Sequence, residues 1–339
     1  ELNAVAIDPG VTPVFEQALG STPDPTEPAP TRCGAPSGIA LSPDEKLAYV
    51  WCRSTGDVAL VELGTPQTAE SVRVRHLADD PLPAAAARGR RVFYDASDSI
   101  TSGGLACSGC HPEGRDDGHV WMEVPGPFTK APIFVGAAWV MKDEKKPFDR
   151  LARQTPMLAG RVASPGPYGW HAQNDDLESR ILEGVRLHRW LNPTEPWHRL
   201  ETAAKQRASA LAAFLRAGLV PPPRLARPLT PQEERGREVF SDAETRCAGC
   251  HTPSTEYTSR VAVPLKQPPP TVPSAFSVEA NDAFKTPSLL FVGGTPPYYH
   301  DGRAKTLEEL VAGNEDRMGK TSHLSEEDRA ALVAFLRTL

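Results

Sequence analysis

Cys107-Ser-Gly-Cys110-His111 and Cys247-Ala-Gly-Cys250-His251 are two copies of one pentapeptide pattern, and their reading decides the fold. Two thiols three residues apart, followed at once by a histidine, form the attachment signature of a c-type haem. The thiols add across the vinyl groups and the histidine reaches the iron as proximal ligand. A single copy would also suit a redox-active cysteine pair or half of a zinc site. Zinc needs a second ligand pair beside each Cys pair, and the sequence offers none. Recurrence in matching surroundings argues against chance. The sequence therefore predicts two covalently bound haems, held by Cys107, Cys110, His111 and by Cys247, Cys250, His251.

Working outward from the motifs, the chain repeats itself, which comes before any assignment of fold. Arg88-Gly-Arg-Arg-Val-Phe-Tyr-Asp-Ala96 matches Arg235-Gly-Arg-Glu-Val-Phe-Ser-Asp-Ala243 ahead of the two motifs. Downstream, Thr155-Pro-Met-Leu158 matches Thr286-Pro-Ser-Leu289, and Pro167-Tyr-Gly-Trp170 matches Pro297-Tyr-Tyr-His300. Asp176-Leu-Glu178 then matches Thr306-Leu-Glu308. Each half closes on an amphipathic helix with Ala-Phe-Leu-Arg, over 206–217 and 325–339, and Pro221-Pro-Pro223 stops the first. The fold class expected is mainly α: two tandem cytochrome-c-type domains, 81–220 and 224–339, preceded by a small β region at 1–80.

In that β region, 38–51 and 57–63 are β-rich runs separated by the turn clusters Ser-Pro-Asp-Glu and Ser-Thr-Gly-Asp. Ser21–Pro30 reads as a proline-rich linker. Gly38-Ile-Ala-Leu-Ser-Pro-Asp-Glu-Lys-Leu-Ala-Tyr-Val50 followed by Gly56-Asp-Val-Ala-Leu-Val-Glu-Leu63 resembles one blade of a YVTN-type β-propeller. Such a propeller closes with about four blades or more, so the resemblance implies further blades outside this chain. A small β extension capping the first haem domain is the alternative.

The 339 residues carry 37 Lys plus Arg against 43 Asp plus Glu, a net charge of −6. That balance argues against a nucleic-acid surface or a polybasic membrane anchor, and no apolar run approaches the ~18 residues of a membrane span. Haem joins this signature outside the bacterial cytoplasm, so a periplasmic or otherwise exported protein is expected. The start at Glu1, with neither Met nor a signal segment, reads as a mature or trimmed product. In that oxidising space Cys33 and Cys52 are expected to pair, with two buried free thiols as the alternative.

Phe284-Lys-Thr-Pro-Ser-Leu-Leu-Phe-Val-Gly-Gly-Thr-Pro-Pro-Tyr-Tyr-His-Asp-Gly-Arg-Ala-Lys-Thr-Leu-Glu-Glu-Leu-Val311, beside tandem C-x-x-C-H motifs, resembles the bacterial di-haem cytochrome c peroxidase and MauG superfamily over roughly 85–339. The resemblance implies a C-terminal haem that takes in or stores electrons, with Met as sixth ligand in the peroxidases and Tyr in MauG-type enzymes. Met318, in the polar loop 314–320, is the candidate, a few residues farther from the Pro-Tyr-Tyr-His-Asp-Gly-Arg block than in the peroxidases. His323, Tyr298 and Tyr299 are the other candidates. It also implies a reactive N-terminal haem. Asp117-Gly-His119-Val-Trp121 resembles the family's Gly-His-Gly-Trp segment, whose histidine is a displaceable ligand; a solvent-exposed loop histidine is the alternative. Trp170 matches the tryptophan lying between the haems, an electron relay.

The family's distal Gln/Glu pair has no clean match here, and Glu183 and His188 are the nearest acid–base candidates. Arg303 is a candidate partner of a haem propionate. A calcium ion between the domains is a family feature that no acidic cluster establishes here. The expected function is peroxide reduction, with hydrogen peroxide and a small redox donor protein as partners. MauG-type oxidation of a partner protein and a purely electron-carrying cytochrome are the alternatives.

Overall fold

The computed structural model of the chain describes residues 33–64, 72–96, 98, 100–101, 105–123, 151–187, 197–264 and 283–339. The expected linker at 21–30 and His188 lie outside them. Two compact units result: Glu1–Cys110 with Ile181–Gly218, and His111–Arg180 with Leu219–Leu339. Among the described residues no helix is long and apolar enough to cross a membrane.

In the first unit, strands β1 (Pro36–Leu41), β2 (Leu47–Cys52), β3 (Asp57–Glu62) and β4 (Val72–His76) form an antiparallel meander in sequence order. The Ser-Pro-Asp-Glu turn closes because the Ser42 hydroxyl donates to Asp44 at 2.6 Å and accepts the Leu47 N–H at 3.0 Å. Alternation puts Ala48, Val50 and Cys52 on the same face as Ala59, Val61 and Val72, and this face is the core of the sheet. Cys33 and Cys52 are joined as a disulfide, as expected, closing a separation of 19 residues. The chain-entropy model values such a bridge at about 3 kcal/mol.

Helix α1 (Ala84–Tyr94) leads to the one-turn helix α2 (Cys107–Cys110). Helix α3 (Leu177–Leu187) begins in the second unit and continues into the first, where α4 (Trp197–Ala217) packs along α1. The closing helix was expected from Gln206 and starts nine residues earlier, because Leu200, Ala203 and Ala204 bury against Ile100 and Val185. Gly89 lies against the Ala210 carbonyl so closely that a Cβ would overlap it, and Phe93 meets Phe214 at 5.4 Å. Asp98 pairs with Arg207 at 2.6 Å, both buried, and its other oxygen accepts the Ile100 and Thr101 N–H groups. A buried charge is tolerable only when paired and bonded in this way.

The second unit holds the hairpin β5 (Val120–Glu123) and β6 (Leu151–Gln154), then α5 (Pro231–Ser241), α6 (Cys247–Cys250), the hairpin β7 (Ala262–Pro264) and β8 (Ala283–Lys285), α7 (Leu307–Ala312) and α8 (Glu326–Leu336). Thr230 and Glu233 form a capping box on α5, with Arg227 forked onto the Glu233 carboxylate at 2.7 and 2.8 Å.

The repeat read from the sequence recurs element by element. Gly236 meets the Ala331 carbonyl as Gly89 meets that of Ala210, and Phe240 meets Phe335 at 5.4 Å. Tyr168 pairs with Asn174 as Tyr298 pairs with Ala304. Each phenol donates to a nearby carbonyl, Tyr168 to Ser164 at 2.8 Å and Tyr298 to Val292 at 3.0 Å. The hairpins β5–β6 and β7–β8 occupy equivalent places, and neither was expected. Their strands pair across 27 and 18 intervening residues, too far apart for a turn signal to announce them.

Candidate functional site

Each C-x-x-C segment is a single helical turn, which puts its two thiols on neighbouring positions just ahead of the histidine. None of the four thiols is in a disulfide. Burial pushes the Cys107 thiol up to about 12, with Asp98 adding to the effect, and burial raises Cys247 as well. A reactive redox pair has its thiol lowered instead, so the shift runs against the thioredoxin-like alternative.

His251 is half-buried, and its Nδ1 donates to the Tyr257 carbonyl at 3.0 Å. That bond fixes the tautomer and leaves Nε2 as the ligating nitrogen, the arrangement a metal-bound histidine needs. Burial lowers its basicity, which favours the neutral, ligating form. Thiols outside any disulfide and an oriented imidazole together fit a covalently attached haem at 247–251.

The loop carrying Met318 lies against that motif. Lys320 N–H donates to the Thr245 carbonyl at 2.8 Å. A side chain at Gly319, where φ is +109°, would come within 2.6 Å of the same oxygen and 3.2 Å of Cys247 Sγ. Buried Asn314 organises the loop: its Oδ1 accepts Met318 N–H at 2.8 Å and its Nδ2 donates to the Gly319 carbonyl at 2.6 Å. In the sequence Asn314 carries no signal beyond an amide in a polar loop. Among the other ligand candidates, His323 is exposed and Tyr298 is committed to Val292. The Tyr299 hydroxyl is buried with no hydrogen-bond partner among the described residues, and burial raises its pKa. Arg303 is held by Asp301 through Nε at 2.7 Å, a local ion pair in place of a free cation.

Trp170 and His300, equivalent by repeat, face each other with ring centroids 6.3 Å apart at 67°. Backbone bonds hold the pair: Lys285 N–H donates to the Trp170 carbonyl at 2.8 Å, and Gln154 N–H donates to the His300 carbonyl at 2.7 Å. The buried His300 ring stacks on Phe284 at 4.1 Å, and Phe284 meets His171 at 4.7 Å. Arg161 ties the turn after β6 to the segment before Tyr298, with Nε donating to the Leu290 carbonyl at 2.7 Å. Burial lowers its pKa to about 10, against the opposing charge of Asp116.

His119 is exposed, its N–H bonded to the Asp117 carboxylate at 3.0 Å. Glu183 is half-buried on the part of α3 that belongs to the other unit. Cys107 and Cys110 close one unit's segment and His111 opens the other's. Among the described residues no group of three or more His, Cys, Asp or Glu side chains gathers as for a metal ion.

Residues 233–339 match the cytochrome c family. The chain is 25% identical over 282 residues to the cytochrome c551 peroxidase of Nitrosomonas europaea, covering 74% of this chain and 78% of that one. It is also 25% identical over 280 residues to the methylamine utilization protein MauG of Methylophilus methylotrophus, covering 74% and 81%. A shorter match, 27% over 147 residues, reaches the hydrazine synthase subunit gamma of Kuenenia stuttgartiensis and spans 42% of its length and 33% of this chain. A solved MauG-like protein associated with microbial copper homeostasis shares the fold, with TM-score 0.51 at 20% identity over 78% of this chain and 91% of that one. The chain thus carries a cytochrome c domain with covalently bound haem, and it is a haem-dependent oxidoreductase related to bacterial di-haem peroxidases and MauG proteins.

Proposed function

We propose that the chain is a periplasmic di-haem peroxidase that reduces hydrogen peroxide to water with electrons from a small redox protein. Residues 81–220 and 224–339 each hold one haem, through Cys107, Cys110, His111 and through Cys247, Cys250, His251. Bound there, the haems supply peroxide cleavage at the N-terminal site and electron storage at the C-terminal one. The observation that carries the reading is the Trp170–His300 ring pair at 6.3 Å, in which Lys285 N–H bonds to the Trp170 carbonyl and Gln154 N–H bonds to the His300 carbonyl. Trp170 relays the electron, and buried His300, fixed on Phe284, holds the indole in place.

Met318, on the loop organised by Asn314 against Cys247, would hold the iron of the C-terminal haem through its thioether. A thioether ligand favours ferrous iron and suits an electron store. His119 would be a displaceable ligand to a haem at the N-terminal site, and Glu183 would carry protons there. The four-stranded sheet is the blade-like module, which docks the electron donor or further blades.

A second reading, MauG-type oxidation of a partner protein's side chains, is favoured by one observation. Tyr299 brings a buried phenol, without a hydrogen-bond partner among the described residues, to the C-terminal half, as a tyrosine ligand would require.

The test is electron paramagnetic resonance with visible spectra of the oxidised and one-electron-reduced protein, before and after stoichiometric peroxide. A high-spin ferric signal abolished by peroxide is expected. Two low-spin haems indifferent to peroxide in both states would leave an electron carrier instead.

A further inference from the structure

The described surface presents one tryptophan whose indole is both solvent-accessible and bonded to a charge. Trp121, on β5, is 39% exposed, and its Nε1 donates to the Asp117 carboxylate at 2.7 Å. A tryptophan is usually kept at a surface by its apolar body, with its N–H left to water. Here a carboxylate is aimed at it, and the strand beneath leads inward. Trp121 pairs with Arg153 across the β5–β6 hairpin. The next residue, Gln154, donates its N–H to the His300 carbonyl at 2.7 Å, and the His300 ring faces Trp170. Val120 packs on Gly302, where a Cβ would overlap it. A short covalent and hydrogen-bonded route therefore joins an exposed indole to the Trp170–His300 pair.

We propose that Trp121 is a surface electron-exchange site for electron-rich aromatic donors of the hydroquinone class, which stack on the exposed indole. The inference rests on the peroxidase reading, with hydrogen peroxide as the oxidant. One electron leaves Trp121 toward the Trp170–His300 pair and meets the oxidising equivalent that peroxide reduction creates. The positive charge left on the indole is paired by the Asp117 carboxylate. The hydroquinone returns one electron to Trp121, loses one proton to water and departs as its one-electron-oxidised radical. Two such turnovers, with two protons taken up from solvent, convert one hydrogen peroxide into two waters.

The test uses the holoprotein with stoichiometric peroxide, a nitroso spin trap and peptide mapping by mass spectrometry. A trap adduct on the peptide at Trp121 is expected, suppressed by hydroquinone, absent in Trp121→Phe and several-fold weaker in Asp117→Asn, which keeps one acceptor oxygen for the His119 N–H and removes the charge facing the indole. Hydroquinone oxidation should fall at least about tenfold in Trp121→Phe and return in Trp121→Tyr, since tyrosine is oxidisable and phenylalanine is not. The haem spectrum of Trp121→Phe should still respond to peroxide. An adduct elsewhere, or Trp121→Phe oxidising hydroquinone at the parent rate, would overturn the inference and leave the peroxidase reading standing. A parent protein whose haem spectrum ignores peroxide would remove both.

Discussion

The imidazole of His300 stands edge-on to the indole of Trp170, 6.3 Å between centroids, although 130 residues separate them in the chain. They are the same position of the repeat used twice, once as tryptophan and once as histidine. Only one of the two can be readily oxidised, so the pair is chemically asymmetric where the backbone is nearly symmetric. The direction of electron flow in the proposed mechanism depends on that difference.

Replacing Trp170 by Phe keeps a ring against His300 and removes the oxidisable indole. Peroxide turnover with a reduced small cytochrome is expected to drop roughly tenfold or more, each factor of ten being about 1.4 kcal/mol of barrier. The thermal midpoint should barely move. Unchanged steady-state turnover would take Trp170 out of the electron path.

Met318 and Tyr299 compete for one role. In Met318→Ala the reduction potential of one haem should fall, and its thioether-ligated visible spectrum should disappear, because thioether ligation holds the potential up. Tyr299→Phe should leave both unchanged in the same spectroelectrochemical titration. The opposite pattern assigns the ligand to Tyr299 and moves the reading toward the MauG type.

Gly89→Ala and Gly236→Ala place a methyl group onto a helix carbonyl in each repeat. Separating the packed helices should cost about 1–3 kcal/mol at either site, the usual penalty for overpacking. Melts of the two holo variants, read by circular dichroism, measure it; near-parent stability would mean the helices slide apart freely.

Asp98→Ala leaves the Arg207 guanidinium buried without its carboxylate, which should cost about 3–5 kcal/mol. Asp98→Leu combined with Arg207→Met should recover most of that in denaturant titration. An equally unstable double variant would show that the pair does more than neutralise itself.

Glu233 is held down to about 2, first by the Arg227 guanidinium and then by the Thr230 N–H. A carboxyl lowered on folding stabilises above its ordinary value near 4.5, and that contribution drains away as pH falls toward 2. The stability gap between the parent protein and Glu233→Gln should therefore be full at neutral pH and close through that window. A gap independent of pH in acid titrations followed by circular dichroism would contradict this.

Much of this was legible in local sequence. The Cys-x-x-Cys-His turns, the Arg-Gly-Arg-x-Val-Phe helices and the Cys33–Cys52 bond follow from chemistry that acts over a few residues or from the redox setting. The equivalence of Trp170 and His300 was also legible, as a repeat. Their contact was not, nor was the β5–β6 strand that delivers the Gln154 N–H to His300. The compact units also cut across the repeat, so that 111–180 packs with 219–339. Helix periodicity cannot anticipate that, because it reports which face is apolar and not which neighbour covers it.

The sequence by itself determined the two Cys-x-x-Cys-His turns, the repeated helical frame and the disulfide, since each is written in residue types at fixed short spacings. Tertiary structure alone decided which side chains meet. It turned the Tyr257 carbonyl onto His251, laid the Met318 loop on Cys247, committed Tyr298 to Val292 while leaving the Tyr299 hydroxyl bare, and brought Trp170 against His300. Those contacts depend on long-range burial and backbone pairing, in which each partner is fixed by everything packed around it.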